Sequence, residues 1–333
     1  MANVAAARGV PPSEADAYSD FALIVPAYNE AANIPRLVRS IRSAFKEFGL
    51  DGEVLLVDDG STDGTGELAR TEGAGWPALR VLVHRVNLGK TEALLTAAAA
   101  TDRKYLVLFD ADLQHLPAEI PRFLEKLAEG WDIVTGRKIG AYDKRLVSSI
   151  YNAVSRRIFE VPVSDLNSMK AFRADILDTV RLRHDWHRFF VVMAYRRGFT
   201  ATEIDIALYP REAGEPKYSG KGRVVGAVLD LIAVWFQLRL SRRPMLAFGI
   251  PGLLLMAAGV LTGLAALFAR YAMGVGFRPL LYLVMLLVTV GVLFFVAGFL
   301  AEMIASVHDE LDAFRSRGAN RDAVGQGPRD RDG

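Results

Sequence analysis

Residues 105–109, Tyr-Leu-Val-Leu-Phe, form an unbroken apolar run that ends in Asp110, Ala111, Asp112, Leu113 and Gln114. Two carboxylates spaced i and i+2, followed by an amide, suit a hard divalent cation that already carries phosphates, because Mg2+ takes few protein ligands and keeps substrate oxygens. Side chains at the C-terminal end of a buried parallel strand open into the crevice where an α/β sheet binds ligands. The chemistry implied is a nucleotide diphosphate site. The same pattern fits a plain strand end at which Asp112 caps a helix over 117–127. Two more polar clusters follow apolar runs: Pro26-Ala27-Tyr28-Asn29-Glu30, and Asp58-Asp59-Gly60-Ser61-Thr62-Asp63-Gly64-Thr65 after Val57. In a parallel sheet all C-terminal strand ends face one edge, so a single ligand can touch all three. Ser61, Thr62 and Asp63 serve equally well as turn and cap residues.

The elements that must carry these clusters alternate. Strand-length apolar runs at 21–26, 53–57, 79–84, 105–109 and 133–136 are separated by amphipathic stretches at 33–48, 63–72 and 91–100. This alternation predicts an α/β fold with a mainly parallel sheet. Residues 145–161 place Val147, Ile150, Val154, Ile158 and Val161 on one helical face, and Arg145, Ser149, Asn152 and Arg156 on the other. That helix either faces a phosphate with its polar side or lies on the sheet as an ordinary surface helix. Residues 223–240 are more apolar and read as an interfacial helix.

The chain has 333 residues, 51% of them hydrophobic, with no cysteine and a net charge of +2. Disulfides and thiolate metal sites are thereby excluded. The excess of apolar residues sits in the C-terminal third, where 245–269 and 279–301 contain no charged residue. Each run is long enough to cross a hydrocarbon core of roughly 30 Å. The short connector between them makes a hairpin with both outer ends on one side. Arg239, Arg242 and Arg243 before it and Arg315 and Arg317 after it outweigh Arg270 and Arg278 in the turn, which puts the large domain on the cytoplasmic side. The hairpin leaves lateral faces free for a homo-oligomer but has no distinctive small-xxx-small pattern to mark one, and nothing indicates a nucleic-acid partner. The expected organisation is a disordered tail (1–20), a catalytic domain (21–222), an interfacial helix (223–243), a transmembrane hairpin (244–302), and a cytoplasmic C-terminal helix and tail (303–333).

The motifs VPAYNE (25–30), VDDGSTDGT (57–65), NLGKTEAL (87–95), DADLQH (110–115), TGRK (135–138), DLNSMKAFR (165–173), HRF (187–189) and YPREAGEPKYSGKGR (209–223) occur in this order. On them the chain resembles the family 2 glycosyltransferases of GT-A fold, in particular the polyprenyl-phosphate, dolichol-phosphate mannose synthase-like branch, over residues 21–240. The resemblance implies that Pro26, Tyr28, Glu30, Val57 and Asp59 hold the nucleoside of a nucleotide sugar donor. It implies that Asp110, Ala111 and Asp112 meet the donor diphosphate and a Mg2+ or Mn2+ ion, with Asp112 and Gln114 as metal ligands. Arg137 becomes a partner for a donor or acceptor phosphate. Arg211 and Lys217, in a glycine-rich loop, close over the pyrophosphate, and Arg145 and Ser149 become candidates for the lipid phosphate. The same basic loop also fits a tether to anionic lipid. Thr91 and the pair Ser168-Met169 depart from the family pattern, and the second departure leaves the role of Asp165 open. The GKT at 89–91 is no P-loop, since His84 stands where that motif needs glycine.

The implied reaction is inverting transfer of a hexose, from a donor of the GDP-mannose or UDP-glucose type, to a polyprenyl phosphate at the cytoplasmic face of a bacterial inner membrane. A phosphate monoester is already anionic and needs positioning, whereas a hydroxyl acceptor needs a general base. The QxxRW motif of chain-extending relatives is absent, as Gln237-Leu238-Arg239 does not continue it. Two alternatives stand beside this reading: transfer to a lipid hydroxyl with Asp165 as base, and a non-catalytic membrane scaffold.

Overall fold

The computed structural model describes residues 13–139, 161–166, 168–180, 182, 189–210, 244–272, 274, 276 and 278–324. The helix expected over 145–161, all but its last residue, and the one over 223–240 lie outside the described residues. So do Arg145, Ser149, Arg211 and Lys217. The chain divides into two units, Met1–Arg223 and Val224–Gly333.

In the first unit, α1 (Glu14–Ser19) leads into β1 (Phe21–Ala27). There follow α2 (Ile34–Phe48), β2 (Glu53–Asp58), α3 (Thr65–Glu72), β3 (Leu79–Val83), α4 (Lys90–Ala99) and β4 (Tyr105–Leu108). A 3-10 turn (Pro117–Glu119) continues into α5 (Ile120–Ala128), then β5 (Ile133–Ile139), β6 (Lys170–Arg173), α6 (Ile176–Thr179), α7 (Phe190–Arg196) and β7 (Ala201–Ala207). The seven strands pair in the order β3-β2-β1-β4-β6-β5-β7. All neighbours are parallel except β6, which runs antiparallel to both β4 and β5. The mainly parallel α/β fold expected from the alternation is therefore present. The antiparallel β6 and the edge strand β7 were not foreseen, and β5 runs three residues beyond the expected end at Gly136.

The chain winds outward from β1 through β2 to β3, then returns over the sheet by α4 and enters β4 on the other side of β1. The strand order reverses between β1 and β4, and an α/β sheet binds its ligand in the crevice at such a point. β1 is buried along its length apart from a half-buried Pro26, as a central strand covered on both faces must be. Pro26 is tolerated there because the carbonyl of Ile24 faces β4, accepting the Phe109 N–H at 2.9 Å, and pairing with β4 ends at Ile24. The missing N–H of Pro26 falls past the last ladder bond.

α2 buries Ile34, Leu37, Val38, Ile41, Ala44 and Phe45, a 3-4 spacing along one face, and stops at Gly49, whose φ of 64° and N–H bond to the Phe45 carbonyl close the helix. α1 corrects the expected tail, because residues 14–19 are helical. Ser13 and Asp16 form a capping box at its start, Ala17 is fully buried, and the Tyr18 hydroxyl donates to Glu125 at 3.1 Å. Ala17 in the core and Tyr18 packed against it are adjacent, which left no hydrophobic period to detect.

In the second unit, a π-helical turn (Met245–Gly249) continues into α8 (Ile250–Ala272), and α9 spans Arg278–Val324. The stretches Met245–Ala272 and Arg278–Val307 are long and apolar enough to cross a membrane. The two helices approach through glycines spaced by seven: Gly252 on α8 meets Gly291 on α9, Gly259 meets Leu287 and Val288, and Gly298 meets Phe248 and Gly249 of the π-helical turn. A Cβ on Gly252 would sit 2.7 Å from the Gly291 carbonyl oxygen, and one on Gly291 2.6 Å from Met256. The Glu302 carboxylate accepts the N–H of Met245 at 3.0 Å, satisfying one of the free amides at the helix start.

Candidate active site

Three adjacent strands, β2, β1 and β4, end side by side and carry the three polar clusters to one edge. The first two clusters clasp each other. Asn29, at φ 49°, donates its N–H to Ser61 Oγ at 2.8 Å and accepts the Thr62 N–H through Oδ1 at 2.9 Å. The Glu30 N–H donates to Thr65 Oγ1 at 2.9 Å, and the Ala31 N–H to Asp63 Oδ2 at 3.1 Å. Burial raises the Asp63 carboxyl, but the Thr65 hydroxyl and the N–H groups of Ala31 and Thr65 outweigh it and hold the pKa below the usual carboxylate value. Ser61, Thr62, Asp63 and Thr65 thus join two loops. Tyr28 and Glu30 stay half-buried at the edge, with the Glu30 carboxylate bonded to Asn33 Nδ2 at 2.6 Å. Val57 is wholly buried in register with Pro26.

Asp59 carries a second task. Its carboxylate accepts the N–H groups of Leu88 and Gly89 at 2.9 and 2.8 Å, and meets His84 Nδ1 at 2.8 Å. An ionised carboxylate only accepts, so Nδ1 carries the proton, and in the neutral ring Nε2 takes the Thr96 hydroxyl at 2.9 Å. Asp59 is buried and clamps the loop that enters α4. Gly60, at φ 71°, lets that loop pass, since a Cβ there would lie 2.4 Å from the Val86 carbonyl carbon.

Behind β4, the Gln114 N–H donates to Asp112 Oδ1 at 3.2 Å, an Asx turn, with Leu113 between them at φ 56°. Positive φ is costly for leucine, and burial of Leu113 in the core holds it there. Tyr209 closes the turn, its N–H donating to the Gln114 carbonyl at 2.9 Å. Ala111 is buried beneath. Asp110 forms an ion pair with Lys90, the first residue of α4. Burial pushes the Asp110 carboxyl up, but the Lys90 ammonium outweighs it and holds the group well below the usual carboxylate range. His115 is buried, and desolvation together with the charge of Lys138 lowers its pKa.

Lys138 lies 3.7 Å from the buried Asp165. Lys170, on β6 between Leu108 and Thr135 in the ladders, is 2% exposed and donates to the Leu166 carbonyl at 3.0 Å. Burial, with the charges of Lys90 and Lys138, pushes its ammonium down to about 7 against the pull of Asp165 and Asp110. Lys90, Lys138 and Lys170 thus surround Asp110 and Asp165. None of the three was singled out from the sequence, although all three lie inside motifs named there, Lys90 in NLGKTEAL, Lys138 in TGRK and Lys170 in DLNSMKAFR.

The structure directs Arg137 elsewhere. Neighbouring strand residues point to opposite faces, and Arg137 binds Asp205 through Nε and Nη2 at 2.5 and 2.9 Å and Glu203 through Nη1 at 3.2 Å. Its strand neighbour Lys138 faces the Asp110 group. Had β5 been read through Ile139, alternation would have separated the two.

Residues 22–170 match the family described as Glycosyl transferase family 2. A dodecaprenyl-phosphate galacturonate synthase of Rhizobium johnstonii is 33% identical, over 88% of this chain and 90% of its own length. An undecaprenyl-phosphate 4-deoxy-4-formamido-L-arabinose transferase of Pseudomonas fluorescens is 30% identical over 76% of this chain and 74% of its own. Among solved structures, glucosyl-3-phosphoglycerate synthase from Mycobacterium tuberculosis, crystallised with Mn2+, UDP and glucosyl-3-phosphoglycerate, superposes with a TM-score of 0.54 at 22% identity, over 68% of this chain and 82% of that one. That likeness is one of fold, and it is the GT-A fold.

Proposed function

We propose that this chain, which belongs to glycosyl transferase family 2, moves a sugar from a nucleotide diphosphate donor onto the phosphate of a membrane polyprenyl phosphate, with inversion, at the cytoplasmic face of a bacterial inner membrane. The observation that carries the reading is the group at the switch point, where Lys90, Lys138 and Lys170 gather around the strand-end carboxylates Asp110 and Asp165. Lysines gathered at a ligand crevice suit phosphate oxygens, and a diphosphate donor with a phosphate acceptor supplies several of them. The two relatives named above are both transferases to polyprenyl phosphates. The apolar hairpin supports a lipid substrate and a membrane location.

Asp112, Gln114 and Asp110 offer oxygen donors only, the chemistry that Mg2+ and Mn2+ prefer. Among the described residues no three His, Cys, Asp or Glu side chains could hold a metal by themselves, and a diphosphate would provide the missing oxygens. The bound ion would offset the charge that develops on the leaving diphosphate. Tyr28 and Glu30, which follow β1 at the same edge, are assigned to the nucleoside. Asp165 is buried and paired with Lys138, which leaves it little access to an acceptor hydroxyl and favours the phosphate acceptor over a lipid alcohol.

The test uses purified full-length protein in detergent with undecaprenyl phosphate and labelled nucleotide-activated galacturonate, 4-deoxy-4-formamido-L-arabinose, mannose and glucose. One or more sugars should appear on the lipid phosphate. Undecaprenol and diacylglycerol should stay unlabelled, and labelling of either instead of the phosphate would overturn the acceptor. Asp112→Ala should abolish transfer, and unchanged turnover in that variant would overturn the metal assignment.

A further inference from the structure

Lys90 is delivered to Asp110 by its surroundings. It is the first residue of α4, directly after Gly89 at φ 91°, and the N–H groups of Leu88 and Gly89 are both held by Asp59. His84, bridging Asp59 to Thr96 on α4 itself, braces that clamp from behind. The ion pair that results is reachable from outside, with the Lys90 and Asp110 side chains 27% and 35% exposed.

An ammonium in contact with a carboxylate weakens the attraction of that carboxylate for a second cation. A divalent ion added at Asp110 would stand against the Lys90 ammonium already in contact with that carboxylate. A nucleoside diphosphate brings negative charge that can absorb both the ion and the displaced ammonium.

We propose that Lys90 is a positioning residue that holds Asp110 closed to a divalent cation until the donor diphosphate arrives, and that its ammonium then passes to the diphosphate oxygens. Metal and nucleotide therefore bind as a coupled pair. The inference rests on the donor and metal reading above.

Mn2+ binding to the full-length protein in detergent, followed by the loss of the free-ion electron paramagnetic resonance signal with and without UDP or GDP, tests it. In the wild type, one of the nucleotides should tighten Mn2+ about tenfold or more, the scale on which a contacting charge shifts a carboxylate equilibrium. By reciprocity Mn2+ should tighten that nucleotide equally. Lys90→Met and Lys90→Gln should bind Mn2+ alone about tenfold more tightly than the wild type, with the coupling largely lost. Lys90→Arg should keep it, and Asp110→Asn should bind Mn2+ weakly in every condition.

A wild-type Mn2+ affinity that neither nucleotide changes would overturn the proposal without recourse to any variant. So would folded neutral variants, checked by circular dichroism, whose affinity and coupling match the wild type. Transfer to undecaprenyl phosphate by the wild type is read separately, so failure of the coupling and failure of the reaction are distinguishable.

Discussion

On β6, Lys170 is buried with its ammonium against the Leu166 carbonyl, and its pKa of about 7 lies far below the ordinary 10.5. Between those two values the unfolded chain binds a proton that the folded chain has released, so stability rises with pH across that window. Below about pH 7 both states are protonated and the slope vanishes. Asp110 adds nothing in this window, because its lowered carboxyl is ionised in both states; its contribution is lost only in acid. Thermal melts of the full-length protein in detergent from pH 7 to 9 should therefore rise, by an amount of order 1 kcal/mol per pH unit, and the rise should be missing in Lys170→Met. Equal pH slopes in the two proteins would contradict the buried, titrating lysine. At this scale the sequence was informative about which residues matter and less so about what they touch. The carboxylates of the DADLQH segment lie at the switch point, as their position after an apolar run suggested. Asp59, expected at the nucleoside, holds the Leu88 and Gly89 amides, contacts made with a loop some thirty positions away. No local pattern encodes a bond of that range.

Elements whose periods run long were legible. β1, β2, α2 and both apolar helices of the hairpin appear where their patterns predicted, because each buries a continuous run or a full face. β6 was missed since it is only four residues long, Lys170–Arg173, and includes a buried lysine; β7 was missed since Glu203 and Asp205 interrupt it to meet Arg137. The glycines of the hairpin, which as sequence showed no distinctive small-xxx-small face for a partner, include two, Gly252 and Gly291, that meet within the pair. The glycine spacing of seven, read along one helix alone, has no meaning until the second helix is beside it. Substitution should separate contact glycines from bystanders. Gly252→Ala forces a Cβ to 2.7 Å from the Gly291 carbonyl oxygen and the Phe295 nitrogen, so the backbones must part, whereas Gly263→Ala meets only Val284 at 3.4 Å. In limited proteolysis and thermal aggregation in micelles, Gly252→Ala should be the less stable by roughly 1–3 kcal/mol, and Gly263→Ala should match or exceed the wild type, as alanine favours helix over glycine. Equal losses at both sites would mean that the helices do not meet along this seam.

The molecule joins an α/β unit with a switch-point crevice to a helical unit that exposes a large apolar surface. Leu253, Leu254, Leu261, Leu264 and Phe268 of α8, and Leu281, Tyr282, Met285 and Leu293 of α9, are each more than half exposed. A continuous apolar surface of this kind has no place in water, and a bilayer or micelle covers it. The proposed acceptor partitions into that same phase, while the nucleotide sugar stays in solution. Enzyme and acceptor then meet by lateral encounter, and the concentration that governs the rate is the mole fraction of polyprenyl phosphate in the amphiphile phase. Raising detergent at fixed lipid should slow transfer in proportion to the dilution of the surface. Raising detergent and lipid together should leave the rate unchanged, and the donor KM should stay constant in bulk units throughout. A rate that followed the bulk lipid concentration regardless of detergent would mean that the acceptor reaches the crevice from solution, and the hairpin would then be an anchor with no part in substrate delivery.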